Sequence, residues 1–474
     1  MSAAVFTQGS TMRHVLLMTG ASTVGLLAMF GVDMVDMFFL TMLGEQELAA
    51  AVGFAGTLLF FLVAVSIGLQ IGMGALVARS EGAKRRDLAG RLCSSALIFN
   101  TLVSVLICAV AWFFLRDLLA LLGARGQTLD YATAYAQILL PSMPMMVLGM
   151  SAAAGVRAVG DARRSMWATL VGSVVNGVLD PIFIFVFAWG LEGAAWASVA
   201  SRVAVLVVAW HALFSVHQLP QKVNFAEFLQ DLKSILQIAI PAVLTNLATP
   251  IGASFVLMTM AQFGDGAVAG AAIMGRITPL AFAAVFALSS AVGPIIGQNA
   301  GAGRYDRVRS TLLNAVSFGA VYVLLIWLAL WLSADFIVRT FSAGPEAGQL
   351  IEFYCRWLVP AFVFNGTLFI ANASFNNLHH PQWATLFNFS KMALGTIPAV
   401  YLGAQWYGPR GVMAGEALSS VVFGALGLLA ALVLVRRLAE NYTETARENA
   451  LLASRAGFAE GERGETGERY VSNE

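Results

Sequence analysis

The chain alternates between long runs of apolar residues and short polar loops. The runs fall near 15–42, 47–78, 92–120, 130–156, 166–190 and 191–215, then near 233–262, 267–298, 309–335, 348–376, 384–405 and 410–436. Each is long enough for a helix, rising about 1.5 Å per residue, to cross a hydrocarbon core about 30 Å thick. None shows the two-residue alternation of a membrane barrel strand. The pattern predicts an all-α membrane protein with twelve transmembrane helices in two six-helix lobes. The N-terminal lobe is expected over 1–215, a cytoplasmic linker over 216–232, the C-terminal lobe over 233–436 and a polar cytoplasmic tail over 437–474.

Composition narrows the function. Of 474 residues, 58% are hydrophobic and 12% charged, against about 25% charged in soluble domains. A soluble enzyme, a disordered chain and a nucleic-acid-binding protein are excluded. The three cysteines, Cys93, Cys108 and Cys355, stand alone in apolar surroundings, with no zinc-ligand spacing. The first apolar run is too long for a signal peptide and reads as the first span. No enzymatic activity, no cofactor and no obligate protein partner are expected. The expected partners are the bilayer and small amphipathic or cationic solutes.

Basic residues set the orientation. Arg79, Lys84, Arg85 and Arg86 follow span two, Arg157, Arg163 and Arg164 follow span four, and Arg304, Arg307 and Arg309 follow span eight. These loops share one side, which should be cytoplasmic, as should both termini. The opposite loops, such as Gly44-Glu45-Gln46-Glu47 and the one from Ser342 to Glu346, are less basic. The chain should be a multi-pass protein of the plasma (inner) membrane.

The halves repeat. Gly74, Gly82, Arg85 and Asp87 recur 219 residues on as Gly293, Gly301, Arg304 and Asp306, and Tyr135 and Pro141 recur as Tyr354 and Pro360. Trp167-Ala-Thr-Leu170 recurs as Trp383-Ala-Thr-Leu386, and Gly44 and Ala49 as Gly264 and Ala269. Six spans separate matching elements, so the lobes are parallel repeats about an axis along the membrane normal, an architecture that encloses a central cavity and works by alternating access.

Ionisable groups inside the bilayer are costly, and so are functional candidates. Asp36 lies in span one. Asn176 and Asp180 lie four apart on one face of span five, just before Pro181, which interrupts the backbone ladder. Ser198 lies in span six. All fall roughly 10–14 Å from the outer surface. Two carboxyls in a low-dielectric site release protons in separate steps, so the group can hold a proton near neutral pH, and the same oxygens suit Na⁺. Asp33, one turn from Asp36, is a candidate for the cavity wall. The C-terminal lobe has apolar Val256 and Ile397 opposite Asp36 and Asp180, and instead carries Lys391 and Glu416, the latter matching Ser198. These two and Met146, in the methionine-rich span four, are further candidates for the cavity lining.

These residues resemble the multidrug and toxic compound extrusion (MATE) transporters, in particular the DinF-like branch. The resemblance covers about residues 15–436. It rests on Asp36 followed by Leu43-Gly44 and Glu47-Leu-Ala-Ala, on Asn176-x-x-x-Asp180-Pro181, on Gly193-Ala-Ala-x-Ala-Ser198, and on Gly297-Gln298-Asn299-Ala-Gly301-Ala-Gly-Arg304. It implies a V-shaped pair of six-helix lobes exporting organic cations and other amphipathic compounds in exchange for H⁺ or Na⁺. It also implies a cation site at the positions of Asp36, Asn176, Asp180 and Ser198. The chain lacks evident counterparts of the C-terminal acids used by the NorM-like branch. It also has Ala21 where relatives often carry a proline in span one; the repeat position is Pro241. Bending of span one at a proline is therefore not expected here, and Gly20, Gly25 and Gly31 are the substitutes for flexibility.

The expected function is a secondary antiporter, with protons narrowly preferred over Na⁺. A flippase for lipid-linked precursors shares the architecture but needs a strongly cationic cavity, whereas these arginines cluster in loops. An intramembrane aspartyl protease would need a Gly-x-Gly-Asp motif, and Ala158-Val-Gly-Asp161 only approaches it.

Overall fold

The computed structural model describes residues 5–42 and 46–468 and, among them, contains helices and no strand. In hydrocarbon every backbone donor and acceptor must pair within its own segment, and helices do this for the apolar runs. The loop positions Gly44 and Glu45 and the last six residues of the tail lie outside the described residues.

Span one is Thr11–Met42, span two Gln46–Gly82 and span three Arg86–Phe113. Span four, Gly126–Ala158, is broken by a 3₁₀ turn at Leu140–Ser142 around Pro141. Span five, Ala162–Val186, ends in a π-helical turn directly after Pro181, and span six is Gly190–Val216. Span seven, Phe225–Ala261, opens on a reciprocal cap. Asn224 Oδ1 accepts from Glu227 N at 2.9 Å, and Glu227 Oε2 accepts from Asn224 N at 3.0 Å. The amphipathic stretch 225–232 is therefore the first two turns of this helix. Span eight is interrupted at Phe282, between Asp265–Ala281 and Ala283–Gly301. Span nine is Tyr305–Thr340 and span ten Pro345–Asn377.

The apolar stretch Pro381–Thr445 contains the last two spans. Its continuity breaks at Gly408, whose φ of 61° and ψ of −142° reverse the chain before Pro409. Gly403 lies against the backbone of Gly411, Gly415 against Ala399, and Gly395 against Ser419. Those pairings are those of an antiparallel helical hairpin, spans eleven and twelve, whose backbones approach because at each of the three contacts at least one of the two positions has no Cβ. The described residues thus form twelve membrane-spanning helices, as expected from the apolar runs.

The repeat extends to backbone conformation. Arg85 and Arg304 share φ near −100° and ψ near 68°, and each follows a positive-φ residue, Lys84 or Gly303. Asp161 and His380 follow the positive-φ residues Gly160 and His379. The 3₁₀ break at Val359–Ala361 around Pro360 repeats the one around Pro141.

The two lobes are interlocked at the end carrying the basic loops. Val15 and Met18 of span one are buried in the C-terminal core with Leu288, Ile295 and Phe375. Ile235, Ile238 and Ala239 of span seven are buried in the N-terminal core with Met73, Cys93 and Val156. Each crossing is tied by a matching bond: Asn314 Nδ2 donates to Thr11 Oγ1 at 2.7 Å, and Ser95 Oγ to Asp231 Oδ2 at 2.8 Å. Asp231, 3% exposed, also receives Arg91 at 3.0 Å.

Gln298 closes the same end. It is fully buried, accepts from Phe6 N at 3.0 Å, and donates to Ala158 O at 2.8 Å. Asn299 and Arg307 both donate to Phe6 O, at 3.2 and 2.8 Å. Gly82 packs on the Gln298 backbone and Gly301 on that of Arg79. Farther along span two, a Cβ added at Gly53 or Gly56 would meet nothing within 4 Å.

Candidate functional site

Span one packs along span five, which brings Asp36 beside Asn176 and Asp180. The Asn176 amide nitrogen donates to Asp36 Oδ2 at 2.9 Å and to Asp180 Oδ2 at 3.2 Å. Asp180 is fully buried, Asn176 is 6% exposed and Asp36 is half-buried. The second oxygens, Asp36 Oδ1 and Asp180 Oδ1, are buried without a hydrogen-bond partner. One amide thus uses both N–H bonds to hold two carboxyls together, the helical spacing of 176 and 180 placing both side chains on one face. Two negative charges so close in a low dielectric repel strongly, and a single added positive charge between the free oxygens removes that repulsion.

Ser198 is half-buried on span six and makes no hydrogen bond to any of the three. Asp33 is exposed one turn before Asp36. Tyr135 of span four lies within electrostatic reach of Asp33, Asp36 and Asp180. Met146 packs on the apolar cluster around Leu139, Leu140 and Met143. Among the described residues no three His, Cys, Asp or Glu side chains gather as metal ligands.

In the C-terminal lobe, Lys391 Nζ donates to Asn365 Oδ1 of span ten at 2.8 Å. Glu416 of span twelve lies within electrostatic reach of Lys391 and Tyr354. The Tyr354 hydroxyl is 3.2 Å from Thr278 Oγ1.

Two arrangements escape sequence reading. Asn365 is a neutral amide in an apolar run, and nothing before folding marks it as the partner of Lys391. Arg202 lies well inside span six, and its guanidinium donates to Leu139 O at 2.9 Å and Ser142 Oγ at 2.6 Å. Its signal was available: a charge that deep in an apolar run needs a partner, and the broken turn at Pro141 offers polar atoms.

The MatE family model matches residues 21–182 and again 241–402. A protein of Shewanella oneidensis named FAD transporter is 26% identical over 418 residues, 87% of this chain and 92% of its own length. The probable multidrug resistance protein YpnP of Bacillus subtilis is 24% identical over 430 residues, 88% of this chain and 94% of its own. The crystal structure of a Vibrio cholerae MATE transporter superposes with a TM-score of 0.85 at 26% identity, covering 90% of this chain and 98% of that one.

Proposed function

Because the chain belongs to the MatE family of multi-pass membrane transporters, we propose that it is a secondary antiporter that exports amphipathic organic compounds, cations among them, in exchange for protons. Multidrug relatives support export of varied solutes. The observation that carries proton coupling is that Asp36 Oδ1 and Asp180 Oδ1, whose companion oxygens both accept from Asn176, are buried without hydrogen-bond partners, a need that one added proton meets.

The basic loops face the cytoplasm, as do both termini, and the membrane is the plasma (inner) membrane. Residues 1–215 and 233–436 act as the two rocking lobes. The clasp of Phe6, Gln298 and Ala158 then shuts the cytoplasmic side, and Asp36 and Asp180 are loaded from outside. A proton between them cancels their repulsion and tightens span one against span five. Span one is rooted in the opposite lobe through Val15 and Met18, so that local tightening pulls on the contact between lobes. Opening of the cytoplasmic side then releases the proton and admits solute. Ser198 would be drawn into the site only during this cycle.

The test is dye export from proteoliposomes under a proton gradient or a sodium gradient alone. The proton gradient should drive movement of a cationic dye, and Asp36→Asn or Asp180→Asn should lower it at least about tenfold. Movement driven by sodium alone would replace the coupling ion, and movement undiminished in both variants would remove the acids from the mechanism.

A further inference from the structure

The C-terminal lobe repeats the backbone of its partner but not its chemistry. Where the first lobe gathers acids, this one places an ammonium, Lys391, among residues of spans ten, eleven and twelve. Lys391 is half-buried and its Nζ is held by a neutral group, Asn365 Oδ1, at 2.8 Å. Glu416 is close enough to act through space, yet no ion pair within 4.0 Å joins it to Lys391. A lysine kept only to join helices would be expected to contact that carboxylate. Here the carboxylate offsets the lysine's charge from a distance, and two of the three ammonium N–H bonds remain to be given. Glu416 is exposed, and its neighbours Lys391 and Tyr354 are half-buried, Tyr354 against the apolar cluster of Met260, Leu350 and Val400. The backbone under Lys391 is fixed: its carbonyl accepts from Ser419 Oγ at 3.2 Å, and Ser419 Oγ lies 3.1 Å from Thr396 Oγ1.

We propose that Lys391, steadied by Asn365, recognises the carboxylate or phosphate group of an anionic amphipathic solute inside the C-terminal lobe. Glu416 is the distant counter-charge that keeps the site near neutral before the solute arrives. This rests on the transport reading above and narrows it, because it adds anionic solutes to the cations expected from the acidic lobe.

The test compares solutes that differ in charge, two of which share a ring system. Proteoliposomes holding the full chain are assayed with fluorescein, a carboxylate, with a rhodamine ester, its cationic analogue, and with methylumbelliferyl phosphate. Lys391→Gln should lower transport of fluorescein or the phosphate ester at least about tenfold, the loss of a charge-assisted hydrogen bond, while leaving the rhodamine within about twofold, which also shows the variant folded. Lys391→Arg, which keeps the charge, should recover much of the anion transport. Loss on fluorescein alone or on the ester alone names the carboxylate or the phosphate as the recognised group. Anion transport unchanged in Lys391→Gln, or a parallel loss of anion and cation, overturns the proposal. Wild-type protein that moves the rhodamine and neither anion overturns it and leaves the antiporter intact. Wild-type protein that moves none of the three removes the antiporter reading. Quenching of tryptophan fluorescence by the anionic probes then decides alone: tighter binding by wild type than by Lys391→Gln upholds the site, and equal binding overturns it.

Discussion

At the scale of residues, the acid pair depends on one amide. Removing it in Asn176→Ala leaves two more carboxyl oxygens without a donor in a buried site, a loss of about 1–3 kcal/mol. A lower unfolding temperature in detergent, together with reduced proton-driven transport, is the expected outcome. Asn176→Asp should be worse, since it puts a third acid beside two. These three residues were legible in the sequence because intramembrane charge is rare and a four-residue spacing fixes a helix face. Ser198 shared their depth, but depth does not fix the direction in which a side chain points, and it bonds to none of them. A second titration lies outside the membrane. Burial works to raise the Asp161 carboxyl, but the bonds from the Arg164 N–H, the Arg164 guanidinium and His217 outweigh it and hold the group below the usual carboxylate range. Its stabilising contribution is complete above the unfolded-state value and is lost as pH falls through the lower folded-state value. Thermal unfolding followed from neutral to strongly acidic pH should show this loss in wild type and a smaller one in Asp161→Asn.

At the scale of elements, the hairpin of spans eleven and twelve is the most sharply determined contact. A side chain at Gly403 or Gly411 would collide with the backbone of the other helix, which no rotamer relieves. Gly403→Val should destabilise by about 1–3 kcal/mol through overpacking, whereas the same substitution at Gly53, where a Cβ meets nothing within 4 Å, should have little effect. Thermal unfolding of the two variants side by side makes the comparison. The existence of twelve helices was readable from apolar runs because hydrocarbon leaves the backbone no alternative. Where a helix begins depends on caps: Asn224 and Glu227 close the start of span seven, so the amphipathic pattern of 225–232 marked a wet helix end within what had read as linker. The break at Phe282 has no match in span two, which runs unbroken through the corresponding stretch; Pro279, one turn before the break, has no counterpart there.

At the scale of the whole molecule, the buried bridge of Gln298 between Phe6 and Ala158 holds the basic-loop end shut. Gln298→Ala removes both bonds and leaves their partners buried, so the closed arrangement should lose ground to one opened at that end. Spin labels placed at Lys84 and Arg304 should report a broader and longer distance distribution than in wild type, and an unchanged distribution would deny the bridge its role. The Gln298-Asn299 pair was visible as part of a family motif, but a motif names residues without naming what they touch, and the partner Phe6 lies 292 positions away. The crossing of spans one and seven carries a different lesson, one of descent. Each half lends the basic-loop end of its first helix to the core of the other, so the peptide over 217–224 is not what holds the halves together. Residues 1–216 and 225–474 produced as separate chains should find each other and assemble. A six-helix ancestor whose first helix reached at one end into the core of a second copy would already have had this packing, and a fusion of two genes would have needed to add only the connecting peptide before the charges of the two halves were free to diverge.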